Sequence, residues 1–127
     1  FICIDEILEI KPQNREATCV KIYLGVGCLD LSDHFPAPAE QIMPGVVLLE
    51  GMNQTLQVIG SEIPELKGKK PFFAGVDKAR FRHPVKPGAE VIYFGKITKL
   101  SSHVGVGQVI AKVGDKIVAE AEILFAF

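Results

Sequence analysis

The sequence predicts an α+β fold in which one long helix lies on an antiparallel sheet, and three observations predict it. A single segment of helical length, "VVLLEGMNQTLQVIG", follows Pro44 and Gly45. Runs rich in β-branched and aromatic residues fill most of the remaining chain. Glycine and proline interrupt those runs at intervals too short for helical crossovers, which is the spacing of hairpins. With 127 residues, 48% of them hydrophobic, the chain suits one compact domain spanning 1–127 with a core of its own.

Residues 2–10 and 17–24 flank the turn-forming "KPQNRE" and are expected to pair as a hairpin. The helix is expected over 45–59, with Pro44 suited to its start and Gly60 as its C-cap. After the polar loop "SEIPELKGKK", extended segments are expected at 72–83, 90–100, 104–113 and 116–127. "KPG" separates the first two of these, and Gly114-Asp115 is a two-residue loop suited to a type II′ turn between the last two. The chain has no internal repeat and no low-complexity linker.

A net charge of −1 lacks the global positive bias of a nucleic-acid binder. The longest apolar run, at 123–127, is far short of the roughly 20 residues needed for a membrane-spanning helix, so no membrane insertion is expected. No signal-peptide pattern precedes the domain, and the start at Phe1 is treated as arbitrary. Cys3, Cys19 and Cys28 are odd in number and lack CxxC spacing, which implies neither a disulfide framework nor a zinc ribbon. A reducing, cytoplasmic setting is expected.

Apolar residues point in nearly every direction around the helix, as they do in one enclosed by its surroundings. One stripe breaks the pattern: Glu50, Asn53, Gln54 and Gln57 fall at i, i+3, i+4 and i+7 and share a face. The stripe is either a solvated side or a polar seam in an apolar setting, and a seam would favour the protonated form of Glu50. Gly51 leans toward the seam. Mid-helix glycine costs about 0.5–1 kcal/mol relative to alanine, which suits close backbone or ligand approach beside the carboxylate.

His34 stands sixteen residues before Glu50 across a proline-rich loop, a placement that often carries chemistry on a rigid scaffold. Lone histidines are more often structural, and His83 and His103 are read that way. Asp30, Asp33, His34 and Glu40 could ligate a metal, but their spacing matches no recognised site. A Cys28/His34 nucleophilic pair lacks an orienting residue.

"HFP", "IMPGVVLLEGMNQ", "FFAGVDKARFRHPVKPG" and "GDKIVAEAEILFAF" together resemble the hot-dog-fold β-hydroxyacyl-[acyl-carrier-protein] dehydratases of the FabZ type over almost the whole chain. The resemblance implies a long central helix wrapped by a bent antiparallel sheet, and a homodimer or dimer-based oligomer with active sites at the subunit interface. It implies a hydro-lyase of fatty acid biosynthesis, or a related pathway, that needs no cofactor and no metal. By motif position the catalytic pair falls on His34 and Glu50, and the oxyanion-binding backbone amide on Gly45. Glutamate rather than aspartate at position 50 resembles the FabZ branch more than the isomerising FabA branch. The sequence departs from the motif after "HFP": Ala37 stands where a glycine is usual, and "PAEQ" lengthens the loop, a change that bears on substrate preference.

Seven of the fourteen Lys and Arg residues fall within 67–86, opposed only by Asp77. On a regular strand Lys78, Arg80 and Arg82 would share one face, opposite Ala79 and Phe81. Such charges suit a solvated face. The resemblance makes them a docking patch for an acidic acyl carrier protein bearing a phosphopantetheine-linked acyl chain. Phe72 and Phe73 resemble the aromatic position near the family's acyl tunnel mouth, with core packing as the alternative. Other hot-dog activities, acyl thioesterase or enoyl-CoA hydratase, and a non-catalytic acyl-chain or carrier-binding module remain open, because fold alone does not settle function.

Overall fold

The computed structural model describes residues 3–24 and 42–127. Its elements run β1 (Glu6–Lys11), β2 (Glu16–Ile22), α1 (Gly45–Ser61), β3 (Phe72–Phe81), β4 (Glu90–Leu100), β5 (Val104–Val113) and β6 (Lys116–Ala126). The six strands form one antiparallel sheet in the order β1-β2-β4-β5-β6-β3. This is the helix-on-sheet architecture expected from the sequence.

Local chemistry accounts for the connections. β1 and β2 are joined by a 3-10 turn, Pro12–Asn14, that exits through Arg15 in the left-handed region at φ 56°. Gly114 has φ 60° while Asp115 does not adopt a positive φ, and Val113 pairs with Lys116, as a two-residue II′ turn requires. The helix ends differently from expectation. Gly60 lies within it, and the chain leaves at Glu62, whose amide donates to the carbonyls of Ile59 and Gly60. A right-handed exit makes no demand for a left-handed glycine, so the C-cap expected at Gly60 is corrected.

One face of the sheet alternates cleanly into the core. Val91, Tyr93 and Ile97 of β4 and Val109 and Ala111 of β5 are buried, as are Ala119, Ala121, Ile123 and Phe125 of β6; Val118, out of phase with these four, is buried too, near the register shift at Ala111/Lys112. From α1, Val47, Leu48, Met52, Leu56 and Ile59 pack against them. Leu56 seats directly over Gly107 of β5, where a Cβ would come within 2.5 Å of its methyl carbon. Bulges interrupt four of the five strand pairings, which bends the sheet around the helix.

One of these bulges overturns a sequence expectation. The register between β3 and β6 shifts between Asp77 and Arg80, and Lys78 takes φ 53° with its amide bonded to the Asp77 carboxylate. The regular alternation of Lys78, Arg80 and Arg82 opposite Ala79 and Phe81 is therefore broken. Arg82 lies just past β3 and pairs with Glu120, while Phe81 is half exposed rather than packed inside.

Candidate active site

Helix α1 starts at Gly45 with Pro44 as its N-cap, and no side chain caps it. The amides of Val47 and Leu48 both reach the Pro44 carbonyl, whereas the amide of Gly45 belongs to the first turn, which has no intrahelical acceptors. The Phe81 ring packs over Gly45, 3.2 Å from where a Cβ would stand. A Cβ here would press on that half-exposed ring and require it to give by a few tenths of an ångström, and the Gly45 amide stands at the positive end of the helix dipole.

Glu50 stands a turn and a half further along α1 and is half-buried. Gln54, at i+4, donates its Nε2 to Glu50 Oε1 at 3.1 Å, and its own Oε1 accepts the backbone N–H of Cys3 at 2.8 Å. The polar stripe is thus neither wholly solvated nor wholly sealed. Asn53 is buried, Glu50 and Gln54 are partly covered, and Gln57 is exposed.

Gly51 has a clear cause, though not the expected one. The group that comes close is the Tyr93 phenol: a Cβ on Gly51 would lie 2.4 Å from Tyr93 Oη. Tyr93 is fully buried, and its hydroxyl has no hydrogen-bond partner among the described residues. Burial, with a smaller contribution from Cys3, pushes the Tyr93 pKa up. Burial first, then the nearby Glu50 charge, raises the Cys3 thiol to about 11. Both groups therefore stay neutral beside the carboxylate at physiological pH.

The remaining expectations separate. His34, Cys28, Asp30, Asp33, Glu40 and the lengthened loop lie outside the described residues. Among the described residues no cluster of His, Cys, Asp or Glu could hold a metal. Phe72 and Phe73 are exposed, so core packing within this chain is not their role. Phe72 instead borders a groove with Asn53, Leu56, Leu66 and Phe125. His83 and His103 are both exposed. Sequence reasoning placed Gln54 on the correct face but missed its bond to Glu50 and its anchor at Cys3. The i, i+4 spacing of Glu50 and Gln54 was the available signal for the first.

A buried helix carrying a carboxylate behind a bare N-terminal amide, wrapped by an antiparallel sheet, defines a hot-dog domain, and residues 1–122 match the FabA-like domain model. The solved structures agree at the level of fold. The dehydratase heterocomplex ApeI:P from Xenorhabdus doucetiae superposes with a TM-score of 0.75 at 11% identity, covering 98% of this chain and 82% of that one. A mutant of the phenylacetic acid degradation protein PaaI from Thermus thermophilus gives 0.68 at 15% identity, covering 95% and 90%. Among curated sequences, the 3-hydroxyacyl-[acyl-carrier-protein] dehydratase FabZ of Clostridium tetani is 36% identical over 98% of this chain and 85% of its own length. The FabZ of a Roseiflexus species is 39% identical over 99% and 85%. The chain belongs to the FabZ family of 3-hydroxyacyl-[acyl-carrier-protein] dehydratases.

Proposed function

We propose that this protein removes water from a 3-hydroxyacyl group carried as a thioester on acyl carrier protein, giving the trans-2-enoyl thioester for fatty acid biosynthesis. The observation that carries the reading is Glu50, half-buried and hydrogen-bonded on the helix that opens with the Gly45 amide, in a chain 36–39% identical to FabZ enzymes over nearly its full length.

The elimination breaks a C2–H and a C3–O bond, forms the C2=C3 bond and releases water. His34 is assigned the C2 proton, since a neutral imidazole with a reference pKa near 6.5 is a competent base at physiological pH. Glu50 protonates the departing hydroxyl, or positions it to receive the proton that His34 has taken from C2. The Gly45 amide, favoured by the helix dipole, receives the charge that builds on the thioester oxygen. No step calls for a metal or a cofactor. Phe72 and Phe73 are assigned to the mouth of the acyl tunnel, consistent with their exposure at the start of β3. Among the described residues that strand is the last of the sheet, with no strand paired to its outer edge, and such an edge suits pairing with a second subunit in a homodimer. Among the described residues no helix is long and apolar enough to cross a membrane. Cys3 and Cys19 are free thiols, which suits the reducing cytoplasm to which we assign the protein.

Lys78, Arg80 and Arg82 are assigned to carrier docking; all three are exposed, and the surface pair of Arg82 with Glu120 is weak enough to yield to a partner. Reversing the three to glutamate is expected to raise KM for the carrier-bound substrate about tenfold at low salt, with the difference shrinking as salt is added. A small thioester analogue is expected to turn over as before. Equal losses on both substrates would place the defect in folding or in the active site.

The reaction itself is tested by mass spectrometry of a 3-hydroxyacyl thioester incubated with the protein. Loss of one water with the thioester intact is the expected result. Release of free acid would identify a thioesterase, and binding without turnover across short, medium and long chains would identify a binding module.

A further inference from the structure

We infer that Asn53 is a specificity-determining residue that makes this site favour an acyl chain bearing a hydroxyl substituent over a plain hydrocarbon chain; the inference rests on the acyl-thioester reading given above. Asn53 follows Glu50 by three residues on the same face of α1 and is only 6% exposed. Its side-chain amide makes no hydrogen bond among the described residues. An amide carries two donors and an acceptor, and leaving them buried without partners is costly. The groove that Asn53 lines is where a partner can enter. Leu56, Leu66, Pro71, Phe72 and Phe125 form its apolar walls. Among the described residues, the one other polar side chain on it is Gln57, which is exposed. The groove has about 10 Å³ of room for water-sized groups, enough for one.

A single buried amide in an apolar groove selects among chains. A hydrocarbon chain laid over the groove shuts water out and leaves the amide unpaired, whereas a chain that points one hydroxyl into it both donates and accepts. For the same reason, a site with buried polar groups rejects ligands that lack the matching group. The helix sets where on the chain that hydroxyl belongs. Three residues place Asn53 about 4.5 Å beyond Glu50 along the axis, roughly four bonds of an extended chain. With Glu50 acting on the hydroxyl at C3, the second hydroxyl falls near C7.

Calorimetry with non-hydrolysable amide analogues of octanoyl-pantetheine tests this apart from the chemistry, because they have no C3 hydroxyl to eliminate and no thioester to cleave. The plain chain is compared with chains hydroxylated at C6, C7 or C8. The wild type is expected to bind at least one hydroxylated chain about fivefold or more tighter than the plain one. Asn53→Leu is expected to reverse the order, with the plain chain ahead by about fivefold or more. Comparing ligands on one protein cancels any effect of the substitution on folding or assembly. If the leucine variant does not fold, Asn53→Ala is expected to lose the preference for the hydroxylated chain. Equal affinities in the wild type, a wild-type preference for the plain chain, or a preference that survives loss of the amide overturns the inference. The expected binding preference without dehydration of any 3-hydroxyacyl thioester would uphold the role of Asn53 and overturn the reading of the reaction, so the two failures are distinct.

Discussion

Glu50→Gln and His34→Ala are each expected to lower kcat for dehydration by at least about 10²-fold while the protein stays folded. Glutamine preserves the volume of Glu50 and can still accept from Gln54 Nε2, so the hydrogen bond seen at 3.1 Å need not be lost. What the substitution removes is the ability to hold and release a proton. A loss in kcat with little change in KM is therefore the signature of a group that acts in the transition state. His34→Ala removes the proposed base altogether. Steady-state kinetics on variants shown to be folded by circular dichroism check the pair. Near-normal dehydration by either variant would remove that residue from the mechanism.

Gly51→Ala is expected to destabilise the protein by about 1–3 kcal/mol, although alanine is the better helix former. The added methyl would sit 2.4 Å from Tyr93 Oη and 2.5 Å from Cζ. Tyr93 is fully enclosed, so the ring cannot swing aside without displacing core neighbours. The helix-propensity gain, at most about 1 kcal/mol, is smaller than the usual penalty of overpacking. Thermal unfolding of the single and double variants separates the two effects. Tyr93→Phe alone is expected to be neutral or slightly stabilising, because the hydroxyl it removes has no partner among the described residues. It should not rescue Gly51→Ala, since the ring carbon at 2.5 Å remains. Tyr93→Leu shortens the side chain, and in combination with Gly51→Ala it should be more stable than the sum of the two single effects by more than about 1 kcal/mol. Additive effects would show that the contact is not what keeps position 51 a glycine.

The elements were legible because their signals are local. The period-2 runs of β4 and β5, the helical segment after Pro44 and the Gly114-Asp115 turn each carry their conformational preference within a few residues, and all appear where expected. The sequence also marked Glu50, Gly51 and Gln54 as unusual, because a carboxylate, a mid-helix glycine and an amide on one short stretch of an apolar helix contradict the simplest pattern. Tertiary structure decided what those anomalies mean. Gly51 answers to a tyrosine 42 positions away, and Gln54 is anchored by an amide 51 positions away, separations that no local pattern encodes. It also broke the expected charge alternation on β3, because a bulge depends on how two strands pair rather than on either strand alone. Residue type and spacing set the helix, the strands and the presence of a carboxylate by themselves. The orientation of that carboxylate is a property of contacts between distant segments, and exists only once the β1–β2 hairpin and the helix are packed together.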